Sequence, residues 1–148
     1  MLIIIEQAHN FEHCLEVQLP FLQTILDSFT IVPIVVGDAS VEQVSSVLKM
    51  LWGGLETLIV ISSDLSHYHD YKTAQIIDRK TSENIENLQY EALDFESACG
   101  RIPVSGLLAL VKEKSLSVKT IDLRNSGDTA GDKNRVVGYG AYVVEESI

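Results

Sequence analysis

A chain of 148 residues is the size of one ordinary domain, so a single core is expected over residues 1–148. Hydrophobic residues make up 46% against 22% charged, which excludes a disordered chain. The formal net charge of −10 repels phosphate backbones and anionic bilayer surfaces, which argues against nucleic acid or a membrane as partner.

Leu2, Ile3, Ile4 and Ile5 open the chain as a short β-rich run suited to a buried strand. Over residues 11–26, Leu15, Leu19, Leu22, Ile25 and Leu26 recur at helical spacing, with Pro20 expected to kink or restart the helix. Residues 30–36 read as a buried strand ending at Gly37, and Ser40 as the N-cap of a helix that buries Val44, Val47, Leu48 and Leu51. Residues 57–62 give the clearest strand, apolar throughout, as where both faces of a parallel sheet are covered. A polar loop over 63–70 follows, then a polar helix over 71–88. A second helix begins near Pro103, with Val104, Leu107, Leu108 and Val111 on one face. Strands near 117–123 and 135–144 close the chain, separated by the Gly- and Asp-rich loop 126–132. Alternating strands and helices predict an α/β layered domain, a mostly parallel sheet flanked by helices. No apolar run reaches the ~20 residues that cross a bilayer, and the start lacks a signal peptide's basic flank, so a cytoplasmic protein is expected.

Sites in open α/β sheets lie beyond the carboxyl ends of strands, where Asp64, Ser66, His67 and His69 follow the clearest strand. The plain alternative is that Asp64 caps a turn and His67 satisfies backbone groups. Cys99 and Gly100 precede the helix near Pro103, so the thiol could sit near the positive end of a helix dipole, which favours a thiolate that serves as nucleophile or soft metal ligand; the competing reading, an inert buried cysteine, is the one the sequence alone slightly favours. With Cys14 it makes only two cysteines, too few for a disulfide framework. His9 and His13 stand four apart and on a helix would share a face. The spacing matches the H-x-x-E-H pattern of inverted zinc peptidases, with Glu12 as general base. The competing placement has His9 in a connection and Glu12 and His13 at a helix start. Loop 126–132 lacks the Lys-Ser or Lys-Thr of a phosphate-binding loop.

Four motifs in order, Glu12-His-Cys-Leu-Glu-Val-Gln-Leu-Pro-Phe21, Ser62-Ser-Asp-Leu-Ser-His-Tyr68, Cys99-Gly-Arg-Ile-Pro103, and Ser126-Gly-Asp128 followed by Gly131-Asp-Lys-Asn-Arg-Val-Val-Gly-Tyr139, resemble the Memo-like family, also called AmmeMemoRadiSam system protein B. Cys14 stands where the family has serine, and Leu65 where it has phenylalanine. The resemblance implies an α/β fold related to class III extradiol dioxygenases, which use non-haem iron. It places Cys99 and His67 as pocket and metal-binding residues, with Asp64 among the catalytic candidates and Glu12, His13 and Ser66 lining the pocket. It implies iron, copper or zinc as cofactor, and radical-SAM and AMMECR-type proteins as partners. Two further metal-binding histidines of the family lie in an Ala-Pro-His-Ala-Gly-like and a Gly-Pro-Ser-His-like segment, and neither segment occurs in this sequence. The chain therefore resembles the C-terminal half of the family domain. From Cys99 and His67 alone, weak or absent metal binding is expected, and a homo-oligomer is the expected way to bury the uncovered surface. Three functions compete: a metal-binding redox or dioxygenase-like protein, a catalytically silent interaction protein, and a hydrolase with Cys99 as nucleophile, His67 as base and Asp64 as orienter.

Overall fold

Two strong N-cap residues set where two helices begin. Ser40 accepts from the Gln43 amide while the Gln43 side chain accepts from the Ser40 amide, and Asp70 accepts from the amides of Lys72 and Thr73. The computed structural model of the chain describes residues 5–10, 12–129 and 131–146. Its helices are α1 (Leu19–Ile25), α2 (Val41–Leu51), α3 (Tyr71–Glu86) and α4 (Arg101–Glu113), and its strands are β1 (His67–His69), β2 (Leu116–Asn125) and β3 (Val136–Glu146). The strands form one sheet in the order β1-β3-β2, with helices packed on it, an α/β architecture.

The sheet direction departs from expectation. Both described ladders are antiparallel, whereas a mostly parallel sheet was expected. The parallel reading rested on 30–36 and 57–62, and neither segment enters a described ladder. Strands β2 and β3 pair antiparallel across the connection 126–135, which opens with a 3-10 turn, Ser126–Asp128, so this connection is a long hairpin. The initial run Leu2 to Ile5 lies outside the described residues except for Ile5.

Two apolar clusters share helix α4. On one side Ile85, Leu93, Leu108, Val111 and Val118 are buried together, joining α3, α4 and β2. On the other, Val44 and Leu48 of α2 meet Leu110. The helices approach so closely there that a Cβ on Gly106 would fall 2.4 Å from Val44 Cγ1, which reserves the position for glycine. Helix α1 buries no residue, and Pro20 sits in its first turn, so the proline marks a helix start rather than a kink. Among the described residues, no helix is long and apolar enough to cross a membrane.

Candidate metal centre

Residues 64–67 owe their shape to a clamp on Leu65 and Ser66. The Leu65 amide donates to the Gly138 carbonyl at 2.9 Å, and the Gly138 amide donates to the Ser66 carbonyl at 2.8 Å, lacing the loop to β3. From α3, the buried carboxylate of Asp78 accepts from the Ser66 amide at 3.0 Å. Gly138 leaves room for that carboxylate, because a Cβ there would lie 2.1 Å from Asp78 Oδ2. Asp64 and His67 flank the clamped pair, and His67 Nε2 comes within 3.4 Å of Asp64 Oδ2.

Cys99 reaches the same place from the turn before α4. The Gly100 amide donates to Ser63 Oγ at 2.9 Å, and that hydroxyl donates to the Asp64 carbonyl at 2.7 Å. The Cys99 thiol lies 3.5 Å from Ser63 Oγ and 3.8 Å from the Asp64 carbonyl oxygen. One donor atom from each of Asp64, His67 and Cys99 therefore falls within 4.8 Å of the other two, the one such group of three among the described residues. Asp64 and His67 are half-buried and Cys99 is exposed, so the cluster opens to solvent.

The other sequence candidates are not members of this group of three. His13 is largely exposed and contacts Glu16 through Nδ1 at 2.6 Å, and Glu12 is exposed beside Cys14. His69 turns to Glu96 at 3.2 Å rather than to the cluster. The reason is local: Tyr68 has φ of +64° and bulges out between His67 and His69, which pair with adjacent residues Val137 and Val136 of β3. Ser66 contributes its backbone to the clamp, and its buried Oγ has no partner among the described residues. His9 ends a 3-10 turn, Glu6–His9, that stops short of His13, so the two histidines share no helical face and the helical zinc clamp is not formed. Both cysteines are free, and burial followed by the nearby Glu12 charge pushes the Cys14 thiol up.

Sequence reasoning missed Ser63, Asp78 and Gly138. A signal for Asp78 was present, because Ala74, Asp78, Thr81, Ser82 and Ile85 repeat on the buried face of α3 and place one acid in an otherwise uncharged stripe. Gly138 offered none, since its requirement arises only when Asp78 packs across the sheet.

Burial pushes the Asp78 carboxyl above the usual carboxylate range, an effect that the Ser66 amide only partly offsets. The folded state then binds that proton more tightly than the unfolded chain. Its contribution to stability is greatest below the ordinary carboxylate range and is lost as pH rises through the raised value. Asp78→Asn keeps an acceptor for Ser66 and removes the ionisation. Urea unfolding across that pH window should show the variant gaining stability relative to the parent as pH rises, and a difference that is flat or shrinks with pH would contradict the assignment. Near the cluster, burial and then the Asp64 charge push the Tyr139 phenol up.

A sequence model of the family described as Memo-like protein matches residues 3–143. The chain is 32% identical over 146 residues to a MEMO1 family protein of Metallosphaera sedula, an alignment that covers 90% of this chain and 52% of that protein. It is 35% identical to one of Sulfolobus acidocaldarius, covering 90% and 51%, and 37% identical over 153 residues to one of Methanosarcina mazei, covering 95% and 57%. The chain thus spans about half the length of the curated relatives it matches.

Proposed function

The chain belongs to the Memo-like family, and from that premise we propose that Asp64, His67 and Cys99 hold one transition-metal ion for redox chemistry of the non-haem oxygenase kind. The observation that carries the reading is the convergence of an oxygen, a nitrogen and a sulfur donor within 4.8 Å. Ligand bonds of about 2.0–2.3 Å at a tetrahedral ion put donors roughly 3.5 Å apart, so a modest closing of these side chains completes the set. Asp64 supplies a hard anionic donor, His67 an imidazole nitrogen and Cys99 a thiolate, a mixture that suits iron, copper or zinc and not magnesium or calcium. Three protein ligands are one more than Cys99 and His67 alone provided, and they match the number typical of an open catalytic centre. When bound, the metal supplies Lewis acidity and, for iron or copper, a redox couple.

The chain's own residues do the positioning. Asp78 and Gly138 hold Ser66, and through it the spacing of Asp64 and His67, while Ser63 ties the start of α4 and hence Cys99 to the same loop. Open exposure at Cys99 leaves a path for a small ligand to the cluster.

The hydrolase reading fares worse on the same geometry. A relay needs the imidazole between nucleophile and orienter, whereas the contacts of the Cys99 thiol are to Ser63 and the Asp64 carbonyl. A catalytically silent interaction protein is supported by a different feature, the apolar surface around residues 57–62, whose Leu58 is exposed.

Equilibrium dialysis against Zn²⁺ and Co²⁺ tests the proposal. One equivalent should bind, with the absorption of a thiolate–cobalt bond, and Cys99→Ala and His67→Ala should each weaken binding at least ~10-fold. Binding that survives both substitutions unchanged would place the metal elsewhere.

A further inference from the structure

Helix α3 and the end of strand β2 wall a cavity of about 770 Å³, within the size range of small-molecule sites. None of Asp64, His67 and Cys99 lines it. Lys72, Ile76, Arg79 and Glu83 form the helical wall, at the spacings of four, three and four that align side chains along one face of a helix. Arg124 and Asn125 stand on the opposite wall. The most buried lining residues are both polar, Asn125 at 1% exposed and Asp78 at 2%. Asn125 is fixed, because its Oδ1 accepts from the Gly127 amide at 2.9 Å, which makes Nδ2 its donor end.

Charge in this cavity runs against the rest of the chain. Over the whole sequence acids outnumber Lys and Arg by 21 to 11, yet Lys72, Arg79, Lys80 and Arg124 line the cavity against three acids, Asp78, Glu83 and Asp128. Two of those acids are already engaged. Asp78 accepts from the Ser66 amide, and Asp128 accepts from the Tyr71 hydroxyl and the Asn125 amide. Glu83 stands 4.0 Å from Lys80, a loose and exposed pair. Asp122, beside the cavity, holds Arg124 through Nε and Nη2, so Nη1 lies outside that pair. A local excess of cations in a chain of net charge −10 singles out an anionic ligand, and guanidinium groups suit the paired oxygens of a phosphate. Volume decides the rest. A bare phosphate would leave most of the space to water, whereas the Gln75 and Asn125 carboxamides and the Glu83 carboxylate offer the donors and acceptors that hydroxyl groups pair with. Among the described lining residues none is aromatic, which removes the usual stacking platform for a nucleobase. We infer that this cavity binds a phosphorylated polyhydroxyl compound of sugar-phosphate size, with the phosphate among Lys72, Arg79 and Arg124 and the hydroxyls on Gln75, Asn125 and Glu83. The inference is independent of the metal reading and stands if no metal binds.

The test is an amide NMR titration of the isotope-labelled full chain with the phosphate monoester of glucose at its primary hydroxyl, in about 0.15 M salt to screen loose surface attraction. Inorganic phosphate and glucose are the other two arms. Saturable shifts are expected over residues 72–83 and 123–128, with a dissociation constant of about 1 mM or tighter and at least ~10-fold tighter than for either fragment. Lys72→Gln with Arg79→Gln should weaken binding at least ~10-fold, while Lys49→Gln, outside the cavity, leaves it unchanged. Both replaced side chains of the double variant are exposed, and unshifted amides in β2 and β3 before ligand is added show that it is folded. The inference is overturned if the ester binds more weakly than about 1 mM, or if either fragment binds within ~10-fold of it. It is equally overturned if the shifts map outside the cavity, or if the double variant binds as the parent does.

Discussion

Gly138→Ala is expected to lower the unfolding free energy by about 3 kcal/mol, the upper end of what overpacking costs. The added methyl would lie 2.1 Å from Asp78 Oδ2 and 2.5 Å from its Cγ, so either the carboxylate leaves the Ser66 amide or β3 moves away from the loop. Each escape breaks a hydrogen bond that holds Leu65 or Ser66, and a buried amide left unpaired costs about 1–3 kcal/mol. The effect should spread to the candidate metal centre, because the same backbone spaces Asp64 from His67. A double-mutant cycle in urea identifies the cause: in an Asp78→Ser background, with its shorter side chain, at least half of the penalty should disappear. A penalty of equal size in both backgrounds would mean that the clash with Asp78 is not responsible.

Leu110→Ala should cost about 3 kcal/mol as well, within the usual range for a fully buried leucine. Leu110 is wholly buried where α4 meets Val44 and Leu48 of α2. Phe21→Ala on α1 is the control, since Phe21 is 72% exposed and its removal should change stability by less than about 0.5 kcal/mol. Comparable losses for the two variants would show that α1 packs against something in solution. Against a typical total of 5–15 kcal/mol, the loss at Leu110 leaves a much smaller margin.

Local signals in the sequence carried well. Ser40 is a cap whose chemistry is complete within four residues, and the strands flanking loop 126–132 pair with each other, so both were legible from spacing, whereas Asp70, which caps α3 in the same local way, was read only as the end of the polar loop 63–70. Residues 57–62 were read as a strand buried on both faces because every side chain from Leu58 to Ile61 is apolar. Composition cannot distinguish a face covered by the same chain from one left open, and Leu58 and Val60 are open. Cys99 and His67 were found through motifs, whereas the third donor depends on distance: only the clamp by Asp78 and Gly138 brings the Asp64 carboxylate toward the imidazole. His9 and His13 show the converse, a regular spacing that carries no ligand geometry because the backbone between them is not an α-helix.

The sharing of α4 between two clusters sets an order of disassembly. Among the described residues before α2, helix α1 buries none and Val36 and Ala39 pack against a cluster, while α3, α4 and β2 are joined through Ile85, Leu108, Val111 and Val118, with Tyr142 and Val144 of β3 packed on them. Cys99 and His67 border this second group, Cys99 at the head of α4 and His67 on β1 beside β3. Mild destabilisation is therefore expected to release α1 before α4 and β3, and to leave the Cys99 sulfur and the His67 imidazole anchored to the better-packed part of the molecule while α1 opens.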